Sequence, residues 1–318
     1  MSAPHTAVLL LNLGGPVNLA QVEPFLFQLF SDRDLIKLPV PGFVQPLLAR
    51  LIAKSRAKGA RARYAEIGGG SPLLRQSAAQ AGQLRSALRA AGHSEPVKLV
   101  FRTTQPRAAG MLRALKMQGI KRLLPITLYP HDCRATTGSS LRELEEMAPA
   151  FGMELMLGVW SYATDPDYLS AIEAPIREAL KELPEATVLF SAHSLPKRQI
   201  ESGDPYEHEI HATVDALKAR LGDIPGGFQL AYQSKVGPVR WLGPNVSETL
   251  KTLTGRDVIV VPISFVSEHI ETLHELDIEY AHLAKVCGVR TYRRVPTPGI
   301  NPAFIRCLTR KTIEALKG

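Results

Sequence analysis

Thr187-Val188-Leu189-Phe190-Ser191-Ala192-His193-Ser194-Leu195-Pro196 is the stretch whose reading decides the fold. Its first half is continuously apolar or β-favouring, with no polar alternation. That pattern marks a strand covered on both faces, as in parallel sheets sandwiched by helices. Runs of the same kind recur at 6–12, 97–101, 122–128, 154–160, 228–233, 257–263 and 289–292. Longer amphipathic segments lie between them, at 77–91, 108–118, 139–146, 167–183, 204–221 and 303–317, and read as helices. Four runs precede residue 160 or so and four follow. The prediction is α/β, with two doubly wound parallel-sheet halves of similar build. We place an N-terminal domain over 1–155, a second over 156–295, and a C-terminal helical segment over 296–318 that packs back on the first domain. Ligands of such folds bind beyond the carboxyl ends of strands, and each motif below follows a strand.

Composition narrows the classes. The chain has 318 residues, is 45% hydrophobic and carries a formal charge of +8, which suits an anionic partner. No secretory leader and no apolar run of about 18 residues is visible, so the expectation is a soluble protein that stays where it is made. Cys133, Cys287 and Cys307 form no C-x-x-C pair, which argues against a disulfide framework or structural zinc and for a reducing cytoplasm. The glycine turns at Gly14-Gly15-Pro16 and Gly68-Gly69-Gly70-Ser71-Pro72 match neither phosphate-binding loop pattern. They read as tight turns that let backbone approach a ligand.

The densest chemistry lies in Ser264-Phe265-Val266-Ser267-Glu268-His269-Ile270-Glu271-Thr272-Leu273-His274-Glu275-Leu276-Asp277-Ile278-Glu279-Tyr280, just after the run at 257–263. On an ideal α-helix Glu268, Glu271, Glu275 and Glu279 line one stripe. Like charges so placed ask for a metal ion, protons or an Arg-lined surface opposite them. The plain alternative is a solvated helix start capped by Ser264 or Ser267, with acids favoured by the dipole. His193, past the end of its own strand in the same half, supplies a partner able to handle protons or metal. Lys235, Arg240 and Trp241, in Ser234–Pro244, offer a wall for a flat aromatic ligand bearing acidic groups, or merely a rigid loop. Residues 38–63 interleave apolar residues with Arg56, Lys58, Arg61 and Arg63 and read as a membrane-surface or ligand lip, centred on about 36–63.

Seven stretches together resemble ferrochelatases of bacterial type. They are Leu11-Asn12-Leu13-Gly14-Gly15-Pro16, Gly68–Pro72, Ser191-Ala192-His193-Ser194-Leu195-Pro196, Gly203-Asp204-Pro205-Tyr206, Tyr232-Gln233-Ser234-Lys235-Val236-Gly237-Pro238, Trp241-Leu242-Gly243-Pro244 and Ser267-Glu268-His269-Ile270-Glu271-Thr272-Leu273, collinear over nearly the full length. The resemblance implies a chelatase-like fold with a porphyrin in the cleft between two domains, and insertion of Fe(II) into protoporphyrin IX with release of two protons. It implies His193, Glu271 and His269 as catalytic, His193 and Glu271 as metal contacts, and Glu268 and Glu275 as a proton or metal relay. Porphyrin contacts are implied at Leu13, Tyr129, Ser191, Lys235 and Trp241. Whether His193 first takes a pyrrole proton or first ligates iron stays open. His269 and Glu271 lie about 200° apart on a regular helix. Both face one site only if the helix starts near Ser267 or carries a π-type turn, and a π distortion is expected.

Two departures are notable: Tyr129-Pro130-His131-Asp132-Cys133 where Tyr-Pro-Gln-Tyr-Ser is common, and Phe101-Arg102-Thr103 where Met-Arg-Tyr is usual. Position 131 reads as a surface histidine, with a metal contact as the alternative. No [2Fe–2S] cluster is expected from three cysteines, nor a permanently bound cofactor. No nucleic-acid partner is expected; a monomer is, cytoplasmic or peripheral on the inner face of the cell membrane. The competing readings are a non-enzymatic porphyrin or haem carrier, and a chelatase for another tetrapyrrole or metal such as coproporphyrin or cobalt.

Overall fold

The computed structural model describes residues 5–237 and 239–317. Its eight strands form two four-stranded, wholly parallel sheets. In the first, β1 (Thr6–Asn12), β2 (Val97–Phe101), β3 (Arg122–Thr127) and β4 (Glu154–Leu155) are ordered β2-β1-β3-β4. In the second, β5 (Thr187–His193), β6 (Phe228–Gln233), β7 (Asp257–Pro262) and β8 (Thr291–Arg294) are ordered β6-β5-β7-β8. The two orders are the same when each set is counted from its own first strand.

The helices between are α1 (Val22–Ser31), α2 (Gln45–Glu66), α3 (Leu73–Ala90), α4 (Ala108–Met117), α5 (Ser139–Met147) and α6 (Pro166–Glu182). They continue with α7 (Lys197–Glu201), α8 (Tyr206–Leu221), α9 (Val246–Lys251), α10 (Ala281–Val286) and α11 (Pro302–Lys317). A π-helix, Glu271–Tyr280, runs straight into α10. All seven residues of β1 are buried, and so are the first six of β5. The uninterrupted hydrophobicity of these strands is therefore the signature of two covered faces. Leu9, Leu11, Leu112, Leu123 and Leu144 belong to one core cluster, and Leu189, Val246, Leu250, Val258 and Leu276 to another.

The chain divides into two compact units. One runs through Tyr129 and adds Cys133–Ser161 and the chain from Leu308 on; the other holds Pro130–Asp132 and Tyr162–Cys307. The run at 154–160 makes only a two-residue strand. Beyond it, Gly158 lies so close to Pro125 that a Cβ would stand 2.1 Å from the Pro125 carbonyl oxygen. The chain rejoins β3 at the bridge between Val159 and Ile126.

Within the first unit the 38–63 segment contains most of α2. Ala49, Ala53, Ala57 and Ala60 are its buried small face, which lets α1 approach closely. Gln45, fully buried, donates to Phe30 O (2.9 Å) and Ile36 O (2.7 Å) and fixes the turn between these helices. Arg50 and Arg56 lie over the rings of Phe27 and Phe30 on α1, and Arg61 pairs with Glu23. Those three cations fold back on the unit while Lys54, Lys58 and Arg63 stay exposed, and Phe43 (88% exposed), Leu47 (67%) and Leu51 (61%), four residues apart, stand outward.

Candidate active site

Three neighbouring strands of the second sheet deliver the site. His193 closes β5 beside Gln233, the last residue of β6, and Ser191 lies opposite Pro262, the last of β7. The chain leaving β7 then supplies Ser264, Phe265, Glu268 and His269 before helical structure begins at Ile270. His269 thus precedes the helix, and the helix from Glu271 is of π type. The π distortion expected from the 200° separation is present, and the helix starts at Ile270 rather than at Ser267. His193 Nε2 stands 3.6 Å from Glu271 Oε1, and His269 Nε2 stands 3.4 Å from Glu271 Oε2. One carboxylate faces two imidazoles. The Phe265 ring lies edge-on to both, with centroids 6.4 Å from His193 and 4.4 Å from His269. Thr272 Oγ1 accepts the His269 backbone N–H at 3.0 Å, which sets the approach of His269 to the helix.

Behind Glu271 runs a polar chain. Fully buried Ser191 donates from Oγ to Gln233 Oε1 (2.6 Å); Gln233 Nε2 donates to the Glu271 carbonyl (2.8 Å) and to Glu275 Oε2 (3.0 Å). Glu275 also accepts from Ser234 N (2.7 Å), Ser234 Oγ (2.5 Å) and the Tyr280 hydroxyl (3.2 Å). Ser234 reaches it from the left-handed region (φ 65°), at a cost of about 1–2 kcal/mol for a residue with a Cβ. Strain held beside a buried carboxylate marks a place where geometry matters more than backbone comfort.

The charges follow from these contacts. Burial opposes the His193 imidazolium, but Glu271, with Glu275 behind it, outweighs that and lifts its pKa to about 9. Burial pushes the Glu271 carboxyl up, yet His193 and His269 hold it far below the usual carboxylate range. The pair is therefore an imidazolium facing a carboxylate. Glu275 moves the other way: burial and the nearby Glu271 charge raise it in spite of its donors. Two carboxyls on one helix are thus driven apart, one firmly ionised and one more ready to hold a proton.

Several sequence expectations need correction. Glu268 does not continue a stripe with Glu271 and Glu275, because it lies before the helix. It is gripped by Arg294 (2.9 Å), Thr297 N (2.9 Å) and Thr297 Oγ1 (3.1 Å), and Arg294 forks onto Asp277 as well. Ser264 caps nothing; its Oγ meets His193 N and the Tyr206 hydroxyl. Ser191, expected against the porphyrin, has no exposed surface and works from behind. His131 is neither a surface residue nor a metal contact. It is 2% exposed, its Nε2 is 2.9 Å from Thr213 Oγ1, it stands edge-on to Tyr168 and Tyr206, and burial drops its pKa to about 3.

Lys235 is exposed; half-buried Trp241 pairs its backbone with Pro196, just beyond His193, and its indole nitrogen is shielded without a hydrogen-bond partner. Pro238 lies outside the described residues. Leu13 and Tyr129 belong to the first unit. The Leu13 carbonyl accepts from Thr103 Oγ1 (2.6 Å), and burial raises the pKa of the Tyr129 phenol. Sequence reading missed Gln233, Ser264, Thr272, Tyr280 and Arg294 as individual contributors. Gln233 and Ser234 did sit in a quoted motif, directly after a strand, and that was their only signal.

Comparison with known proteins agrees with this picture. The sequence model described as Ferrochelatase matches residues 5–316. The ferrochelatase of Geotalea daltonii is 42% identical over 320 residues, 98% of each chain. That of Geobacter metallireducens is 44% identical, covering 95% of this chain and 96% of its own. A cyanobacterial ferrochelatase from Synechocystis is 44% identical over 98% of this chain and 83% of its own. Among solved structures, the sirohydrochlorin chelatase SirB of Bacillus subtilis in complex with cobalt superposes with a TM-score of 0.58 at 13% identity, covering 98% of this chain and 95% of that one. CbiX, the terminal enzyme of sirohaem synthesis in denitrifying bacteria, gives 0.51 at 17% identity over 77% and 93%. At such identities these two bear on the fold alone, and they identify it as the chelatase fold.

Proposed function

This chain belongs to the ferrochelatase family, enzymes that insert iron into a porphyrin to make haem, and from that premise we propose that its porphyrin is protoporphyrin IX and that metallation takes place against His193. The observation that carries the proposal is the His193–Glu271–His269 constellation at the ends of β5 and β7, with Glu271 shared between two imidazoles. Metallation removes two pyrrole protons while Fe(II) sheds water and enters the macrocycle from one face, so base and metal-binding groups must act together.

His193 is the group for both duties, because a neutral imidazole accepts a proton or ligates a metal. At neutral pH the free site holds it as the imidazolium, so its proton must leave before it acts. Glu271 holds the imidazolium by its charge, and Glu275, whose pKa burial and the Glu271 charge raise, is the carboxyl readier to take the proton. Glu268 enters this reading as a neighbour held by Arg294 rather than as an open station. Among the described residues no three His, Cys, Asp or Glu side chains form a metal cage. Two donors at His193 and Glu271 would leave most of the coordination sphere of an arriving iron to water and then to pyrrole nitrogens. Trp241 would stack on the porphyrin, and Lys235 would meet a propionate.

The test is anaerobic insertion of iron or zinc by the natural protein and by His193→Ala. The variant is expected to bind porphyrin, read by fluorescence, and to metallate none. A carrier would bind porphyrin without metallating it even with His193 in place. Faster turnover of coproporphyrin than of protoporphyrin would reassign the substrate. We further read the outward Phe43, Leu47 and Leu51 as a peripheral contact with the inner face of an anionic membrane, flanked by the basic run of α2. No helix of the described residues is long and apolar enough to cross one. Flotation with anionic liposomes at low salt tests this: the protein should float, and Leu47→Asp should abolish it.

A further inference from the structure

Tyr206 ends the Gly203-Asp204-Pro205-Tyr206 stretch that the chemistry above leaves unused. Its hydroxyl is 2.9 Å from the His193 carbonyl oxygen and 2.7 Å from Ser264 Oγ, and Ser264 Oγ is 3.0 Å from the His193 backbone nitrogen. One assignment of protons satisfies all three contacts. The His193 N–H donates to Ser264, the Ser264 O–H donates to Tyr206, and the Tyr206 O–H donates to the His193 carbonyl. Each hydroxyl then donates once and accepts once, and the ring closes on the two backbone polar groups of one residue. We infer that Tyr206 and Ser264 are positioning residues that together brace His193. The inference rests on the reading of His193 as the group that acts on the porphyrin.

The brace answers a need the rest of the site leaves open. His193 Nε2 is 3.6 Å from Glu271, beyond hydrogen-bond length, so the carboxylate attracts the imidazole without fixing it. Phe265 offers only an edge. β5 is still in register with β6 at His193, but its pairing with β7 ends at Ser191, so the ladder no longer holds the His193 backbone on that side. Tyr206 is itself anchored. Its ring is 6% exposed and edge-on to His131 at 6.0 Å; its N–H donates to Asp204 Oδ1 (3.1 Å), and Asp204 also accepts from Gln199 (2.8 Å). The start of α8, the end of β5 and the chain after β7 thus meet at two hydroxyls. An error of about 1 Å in a reacting group costs on the order of 10²-fold in rate, so a brace on its backbone has a direct consequence for turnover.

Tyr206→Phe and Ser264→Ala each open the ring and leave the surrounding shape in place. Each is expected to lower kcat for zinc insertion about tenfold, with the KM and the fluorescence-measured Kd for porphyrin within about twofold of the natural values. Because one ring is opened in every case, the double variant should be no slower than the slower single one. Ser264→Thr, which keeps the hydroxyl, should retain turnover and keeps the proposal testable if the Phe variant fails to fold. Full kcat in both single variants, losses that multiply in the double variant, or a loss confined to KM would overturn the brace. His193→Ala in the same assay separates the layers. If it is inactive while Tyr206→Phe turns over fully, the brace alone is refuted; if it is active, the role of His193 is refuted and the brace with it.

Discussion

Replacing Glu271 by Gln keeps size and removes one charge, and the structure fixes what should follow. Two opposed influences set the His193 pKa near 9: burial, which lowers it, and the Glu271 carboxylate at 3.6 Å, seconded by Glu275. In Glu271→Gln burial remains and the larger attraction is gone, so the imidazole should titrate at or below its ordinary value of about 6.5, a fall of about 2.5 pH units or more. Only the neutral imidazole accepts a pyrrole proton or binds iron. For the natural protein, kcat/KM for zinc insertion should therefore climb through pH 7 and 8 toward a midpoint near 9. In the variant the climb should be complete by about pH 7, at a plateau lowered about 10²-fold because the charge that orients the two imidazoles is lost.

The same pair sets a stability trend of definite sign. A histidine whose pKa is higher folded than unfolded contributes fully below pH 6.5 and loses that contribution as pH rises through 9. From pH 7 to 10 the natural protein should lose about 2 kcal/mol through this group, a figure already trimmed because 31% of the His193 side chain faces solvent. Glu271→Gln should show almost none of that loss. Urea unfolding at the two pH values measures it, and imidazole nitrogen shifts read the pKa directly. An ascending limb at the same pH in both proteins would refute the claim that Glu271 governs His193.

Three other outcomes follow from buried groups. His131, with its pKa depressed to about 3, stabilises the fold only while neutral; stability through it is complete above 6.5 and falls as pH drops toward 3, by about 2 kcal/mol between pH 7 and 5. His131→Gln should flatten that part of a stability–pH curve, and an unchanged slope would assign the acid sensitivity elsewhere. Arg294→Met removes the partner of Glu268 and Asp277 and leaves a shielded carboxylate, so unfolding should be easier by about 3–5 kcal/mol; Arg294→Met with Glu268→Gln should recover much of it. Ser234→Gly relieves the positive φ while losing one hydroxyl bond to Glu275, so its stability should stay within about 1 kcal/mol of natural, whereas Ser234→Ala keeps the strain and should lose about 1–2 kcal/mol.

Residues 187–191 and 257–263 could be read as buried strands from composition alone, because unbroken Val, Leu, Ile and Phe have only one economical home in an α/β chain. The run at 154–160 looked the same and yielded two residues of strand. Just beyond those two, Gly158 passes so close to the Pro125 carbonyl that no side chain would fit, a non-local contact that no window of sequence contains. The site divides along the same line. That His193 could meet the acidic stretch after 263 was legible from two strand ends in one half of the chain; that its partner is Glu271 came from the family resemblance.

Which carboxylates share that face was not, because register on a helix depends on where the helix starts. Here the start falls at Ile270, two residues after Glu268. That shift turned a supposed relay station into the partner of Arg294, so one of the three counterparts that four aligned glutamates demanded, an arginine, is present but serves Glu268. Of the other three, Glu279 meets His274 at 3.4 Å, and Glu271 and Glu275 are left with imidazoles, hydroxyls and an amide. None of these groups cancels a second negative charge as a cation would, so this end of the second sheet keeps unspent attraction for protons and for an incoming divalent metal.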